Sequence, residues 1–136
     1  MSIEYPESYL CDILNEVRTI AVVGASSKKH RDSYKVMQSL IENGYKVFPI
    51  NPNESGKNIL NCECFPSLDA VKENIDMVDI FRAHDAVMDI AKDAIKIGAK
   101  VLWMQEGIVH HEAANLATSA GLRVVMDRCP KKELIK

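Results

Sequence analysis

A doubly wound α/β domain, a parallel sheet of about five strands between two helical layers (α/β/α), is the fold class this sequence predicts. Three observations lead there. Short apolar runs alternate with segments of ten or so residues at helical spacing, the pattern of βαβ units. The runs are apolar throughout, as strands covered on both faces are. With 136 residues, 47% of them hydrophobic and 26% charged, the chain suits one domain with its own core and not a disordered polymer.

Each element has a local reason. Ser8 to Val17 carries Leu10, Ile13, Leu14 and Val17 at helical spacing, which predicts an N-terminal helix. Thr19-Ile20-Ala21-Val22-Val23 reads as a buried strand ending at Gly24. Val36, Leu40 and Ile41 mark the next helix, stopped by Asn43-Gly44. Lys46 to Ile50 is the second strand, and Pro49 restricts it to a strand end or an unpaired edge position. Asn51 to Asn61, rich in Asn, Pro, Ser and Gly, reads as a loop. A weaker extended piece at Glu63 to Phe65 follows, and Ser67 is expected to cap a short helix through Val71. Met77 to Phe81 is a strand, Asp85 to Ile97 an amphipathic helix ended by Gly98, and Lys100 to Met104 a strand. Glu112 to Ala120 is a helix ended by Gly121, and Leu122 to Met126 is the last strand. No linker or repeat interrupts this series, so one domain over residues 1–136 is expected.

Composition narrows the function. A net charge of −2 gives no basic footprint for nucleic acid, and no apolar run approaches the roughly 20 residues of a membrane helix. Met1-Ser2-Ile3-Glu4-Tyr5-Pro6 lacks the basic and apolar segments of a secretory leader, so a cytoplasmic location is expected. Cys11, Cys62, Cys64 and Cys129 are then thiols. Cys62 and Cys64 are too close for CxxC spacing, and the four histidines form no i, i+4 pair, so no metal site is expected. Cys129 reads as an inert buried thiol.

In open α/β sheets, ligands bind beyond the carboxyl ends of the strands. Here that place holds Gly24-Ala25-Ser26-Ser27-Lys28-Lys29-His30-Arg31-Asp32-Ser33-Tyr34, running from the first strand into the next helix. Gly24 permits a tight turn, the following helix offers free N–H groups, Ser26 and Ser27 add hydroxyls, and Lys28 and Arg31 add positive charge. The loop therefore favours a phosphate, the alternative being a solvated basic turn. A GxGxxG loop would need glycine at positions 26 and 29, where Ser26 and Lys29 stand. Asn51-Pro52-Asn53 occupies the place of the acidic residue that holds a ribose diol in NAD sites. Gln105, past another strand end, suits a carbonyl or amide ligand. Glu106 with His110 or His111 reads as an exposed loop leading into a helix, so no catalytic residue is assigned.

Five ordered blocks carry a resemblance. They are Ala21 to Ser26; Gly44 to Val47 with Pro49 to Pro52; Asp79 to Arg82; Val101 to Ile108; and Val124 to Pro130. Together they resemble the small CoA-binding domain proteins, a family similar to the N-terminal domain of the succinyl-CoA synthetase α-subunit. The resemblance implies a Rossmann-like sheet carrying coenzyme A, or an acyl-CoA, across the carboxyl ends of its strands. It implies that Gly24, Ala25, Ser26 and Ser27 meet the pyrophosphate, with Lys28 and Arg31 neutralising its charge. Asn51 and Pro52 would lie against the adenosine, and Phe81 and Arg82 would flank the nucleotide or pantetheine. The phosphorylated histidine of the synthetase lies in a separate domain, so no ligase activity is expected. The expected function is CoA binding without catalysis, with a homo-oligomer or protein partner left open. The rival is an NAD(P)-dependent oxidoreductase or a nucleotide-sensing module on the same fold.

Overall fold

The computed structural model describes residues 3–136; Met1 and Ser2, on which part of the leader reading rests, lie outside the described residues. In chain order the elements are α1 (Glu7–Glu16), β1 (Thr19–Val23), α2 (Asp32–Glu42), β2 (Lys46–Ile50), β3 (Asn58–Ile59), β4 (Cys62–Glu63), β5 (Met77–Ile80), α3 (His84–Lys96), β6 (Val101–Met104), α4 (His111–Ser119), β7 (Arg123–Val125) and α5 (Pro130–Leu134). Single 3₁₀ turns occupy Pro52–Glu54 and Leu68–Ala70.

The expected helices and strands form, with ends that differ by a residue or so, as fraying ends do. Three places differ more. The expected loop from Asn51 to Asn61 contains a 3₁₀ turn and β3, which pairs with β4 as a hairpin. Its two turn residues, Leu60 and Asn61, have φ of 50° and 63°. A primed turn needs this geometry, but leucine is not a residue type that announces it. Ser67 does not cap a helix: its hydroxyl donates to the Asp69 carboxylate, and only a 3₁₀ turn follows. Helix α5 was not expected, because five residues opening on Pro130 are too few to show a period.

The main sheet is parallel, with strand order β2-β1-β5-β6-β7. Alternation along each strand divides the core in two. Ala21, Val23, Val78, Ile80, Leu102 and Met104 face α3 and α4, meeting Val87, Ile90, Ala91, Ala113 and Ala117. Ile20, Val22, Met77, Val101 and Trp103 face α1, α2 and α5, meeting Leu10, Ile13, Val36, Met37 and Leu40. Trp103 is wholly buried and its indole N–H donates to the Arg128 carbonyl at 2.9 Å, so no buried polar atom of the ring is stranded.

Both sheet edges are covered, which removes the bare backbone rows that invite further pairing. On the outer side of β2, the Phe65 N–H donates to the Pro49 carbonyl and the Asn51 N–H donates to the Phe65 carbonyl, each at 2.9 Å. Pro49 thus sits on an edge strand, where its missing N–H costs nothing in the β1 pairing. At the other edge two tyrosines from the N-terminal segment replace a strand. The Tyr9 hydroxyl donates to the Val124 carbonyl at 2.9 Å and accepts from the Val124 N–H, while the Tyr5 hydroxyl accepts from the Met126 N–H at 2.8 Å.

Asp79 breaks the apolar pattern at the centre of the sheet. It pairs in register with Val22 and Trp103, is fully buried, and neither carboxyl oxygen has a hydrogen-bond partner among the described residues. Burial pushes its carboxyl well above the usual carboxylate range. The folded protein therefore holds this proton more tightly than the unfolded chain does. The resulting contribution to stability is full below the unfolded pKa of about 3.9 and is lost as pH rises towards the folded value. Asp79→Asn removes the titration, so its Tm relative to the parent should increase as pH is raised above about 4. Thermal melts across pH check this; a constant difference would contradict it.

Candidate functional site

From β1 the chain runs outward to β2, then returns to place β5 on the other side of β1. Helices α2 and α3, which follow β1 and β5, pack on opposite faces of the sheet. A crevice must open where such connections diverge. A groove of about 810 Å³ lies there.

Its floor depends on one close approach. Gly24 leaves β1 with φ of +95°, and its N–H and that of Ala25 both donate to the Ile50 carbonyl, at 3.0 and 3.2 Å. A Cβ on Gly24 would stand 2.4 Å from the Phe81 carbonyl oxygen and 3.1 Å from Arg82 Cδ. Only glycine allows the first turn of the loop to lie against the end of β5. Asn51 secures the other wall. Its side-chain N–H₂ donates to the Ala25 carbonyl at 2.8 Å, and its Oδ1 accepts from the Asn53 N–H at 2.9 Å. This residue lines the groove while its amide braces β2 to the loop.

The groove collects Gly24, Ala25, Ser26, Lys28 and Arg31 from the first loop, Asn51 and Pro52 from the second, and Phe81 and Arg82 from the end of β5. Two residues expected with them are placed differently. Ser27 is not in the lining: its N–H donates to Glu54 Oε2 at 3.0 Å and its hydroxyl donates to Oε1. Gln105 lies one strand further on, 7% exposed and outside the lining, with its N–H on the Ile80 carbonyl and its Oε1 unpartnered among the described residues. Asp32 and Ser33, from the end of the expected loop, and Asn53 line the groove as well, and Glu54 lines it without having been expected there.

The electrostatics favour an anion. Lys28, Arg31 and Arg82 line the groove, and none of them forms an ion pair among the described residues. Arg31 is the N-cap of α2 and makes no side-chain capping bond, so the first-turn N–H groups of the helix lack that partner. Against these stands Glu54, held below the usual carboxylate range by the Ser27 hydroxyl first, with the Ser27 N–H, Lys57 and Lys28 adding to the effect. Away from the groove, Glu106 pairs with Lys132 at 2.9 Å. His110 Nδ1 accepts the Ala113 N–H at 3.0 Å and its ring stacks on His84 at 4.3 Å.

Fold and groove define a Rossmann-like domain whose crevice lies at the switch point of an open parallel sheet. Residues 18–135 match the model of the CoA binding domain family, and the chain belongs to that family. It is 32% identical over 120 residues to the YneT protein of Bacillus subtilis, covering 88% of this chain and 87% of YneT. A solved structure from Thermus thermophilus superposes with a TM-score of 0.91 at 34% identity, covering 96% of this chain and 98% of that one. Over 85 residues the chain is 28% identical to the ADP-forming acetate–CoA ligase II of Archaeoglobus fulgidus, covering 61% of this chain and 12% of the ligase.

Gly24→Ala should destabilise the fold by roughly 2 kcal/mol or more, because the new Cβ meets backbone and the residue must hold a left-handed φ. Urea unfolding checks this. An unchanged midpoint would mean that β1 and β5 do not approach as closely as described.

Proposed function

We propose that this protein binds coenzyme A, or an acyl-CoA, in the switch-point groove and performs no chemistry of its own there. The observation that carries this reading is the gathering of three cationic side chains without an ion pair among the described residues, Lys28, Arg31 and Arg82, around the glycine turn and the start of α2. Such a site suits a diphosphate, since charge-assisted hydrogen bonds from guanidinium and ammonium are stronger than neutral ones. The family membership supports coenzyme A as the ligand that brings it.

In this reading Gly24, Ala25 and Ser26 lie under the pyrophosphate, and Lys28 and Arg31 neutralise it. Pro52 and the backbone about Asn51 face the adenosine, while Phe81 and Arg82 border the path towards pantetheine. Gln105 sits beyond the groove, so an interaction with it belongs to the far end of an extended ligand. The absence of chemistry is argued from commitments made elsewhere: Glu106 is engaged by Lys132, and His110 by the N-terminus of α4.

Calorimetric titration with CoA, NAD and NADP tests the proposal. CoA should bind in preference to both nicotinamide nucleotides. Ser26→Asp should weaken CoA binding roughly tenfold or more through repulsion of the phosphates, with thermal stability retained. Preference for a nicotinamide nucleotide, or an undiminished affinity in Ser26→Asp, would overturn it.

A further inference from the structure

Ser27 was expected to serve a phosphate, yet both of its donors are already used by a carboxylate of the same chain. Glu54 stands at the end of the 3₁₀ turn after β2, 27 residues further along the chain, and lines the same groove as Lys28, Arg31 and Arg82. A carboxylate offers two oxygens in one plane to two donors, much as two oxygens of a phosphate do. Lys28 and Lys57 are close enough to act on its charge. The arrangement is that of an anion site whose first ligand belongs to the protein.

We propose that Glu54 is a specificity-determining internal competitor: in the free protein it holds the N–H and hydroxyl of Ser27, and a phosphate-bearing ligand must displace it to complete its contacts. This deepens the CoA-binding reading and rests on it. A ligand without phosphate has nothing to exchange for the carboxylate and leaves Glu54 in place. One with a diphosphate brings several acceptor oxygens and meets Lys28, Arg31 and Arg82, none of which forms an ion pair among the described residues. The displaced carboxylate remains beside Lys57, so its charge is not left in an apolar setting.

The cost of displacement appears in the apparent affinity. Where the binding-competent state is only a fraction of the population, the dissociation constant is raised by that fraction. Exposed charge-assisted hydrogen bonds of this kind correspond to a competent fraction on the order of one tenth to one fifth. Glu54→Gln keeps the shape, removes the charge and weakens the hold on Ser27. Its affinity for CoA should therefore rise about five- to tenfold.

Loss of any negative charge near the groove would also favour an anion, so a second variant separates the two causes. Asp32 lines the same groove and forms no hydrogen bond with Ser27. Calorimetric titration of CoA into the parent, Glu54→Gln and Asp32→Asn should show the larger gain in Glu54→Gln. Amide hydrogen exchange should show Ser27 less protected in ligand-free Glu54→Gln than in the ligand-free parent, and equally protected in both once CoA is bound. An unchanged dissociation constant in Glu54→Gln, or a gain matched by Asp32→Asn, would overturn the proposal while leaving CoA binding intact. Failure of both the parent and Glu54→Gln to bind CoA would remove the underlying reading, and the proposal with it.

Discussion

The contact between Gly24 and the carbonyl of Phe81 is the constraint on which the rest of the site depends. It joins the end of β1 to the end of β5 at the point where the sheet changes direction, and it leaves no room for a side chain. With that approach made, the loop turns over the sheet, its first two N–H groups are satisfied by Ile50, and Asn51 ties the second loop to Ala25. Lys28 and Arg31 from the first loop and Arg82 from the end of β5 then line one groove. A larger residue at position 24 would separate the two strand ends, and the cations with them.

The sheet that carries this contact is stabilised by burial on both faces and by coverage of its edges. Residues 62–65 extend the pairing past β2, and Tyr5 and Tyr9 supply hydroxyls where a further strand would lie beyond β7. These arrangements keep the backbone satisfied without enlarging the sheet. Asp79 interrupts the apolar pattern at the centre of the sheet. Its burial without a hydrogen-bond partner among the described residues is a liability that stays small only while the carboxyl is protonated, which makes the centre of the sheet sensitive to pH.

Much of the fold was legible because periodicity is a local property. The apolar runs of β1, β5 and β6 and the spacing in α3 needed no knowledge of their neighbours. The hairpin was not, since Leu60 adopts a positive φ without belonging to a turn-forming type. Nor was α5, which is too short to repeat. In the site, Gly24 and Arg82 were legible because they follow strand ends closely, and Lys28 and Arg31 because they belong to the loop that joins β1 to α2. The pairing of Ser27 with Glu54 joins two loops that are neighbours only in space, so no spacing rule reveals it. Asn51 lines the groove, but its use as a brace depends on the Ala25 carbonyl, which no local pattern reveals. Gln105 shares the carboxyl edge of the sheet with the site and yet lies outside the groove, because the crevice opens at β1 and β5 while Gln105 follows β6.

The central claim is that the switch-point groove is where coenzyme A binds. Titration of uniformly ¹⁵N-labelled protein with CoA, followed by amide chemical-shift changes, tests it most directly. The account predicts that the largest changes fall on Gly24 to Arg31, on Asn53 and Glu54, and on Phe81 and Arg82. Saturable changes confined to other surfaces, such as the ends of α1 and α5, would contradict it, as would a spectrum unmoved by CoA.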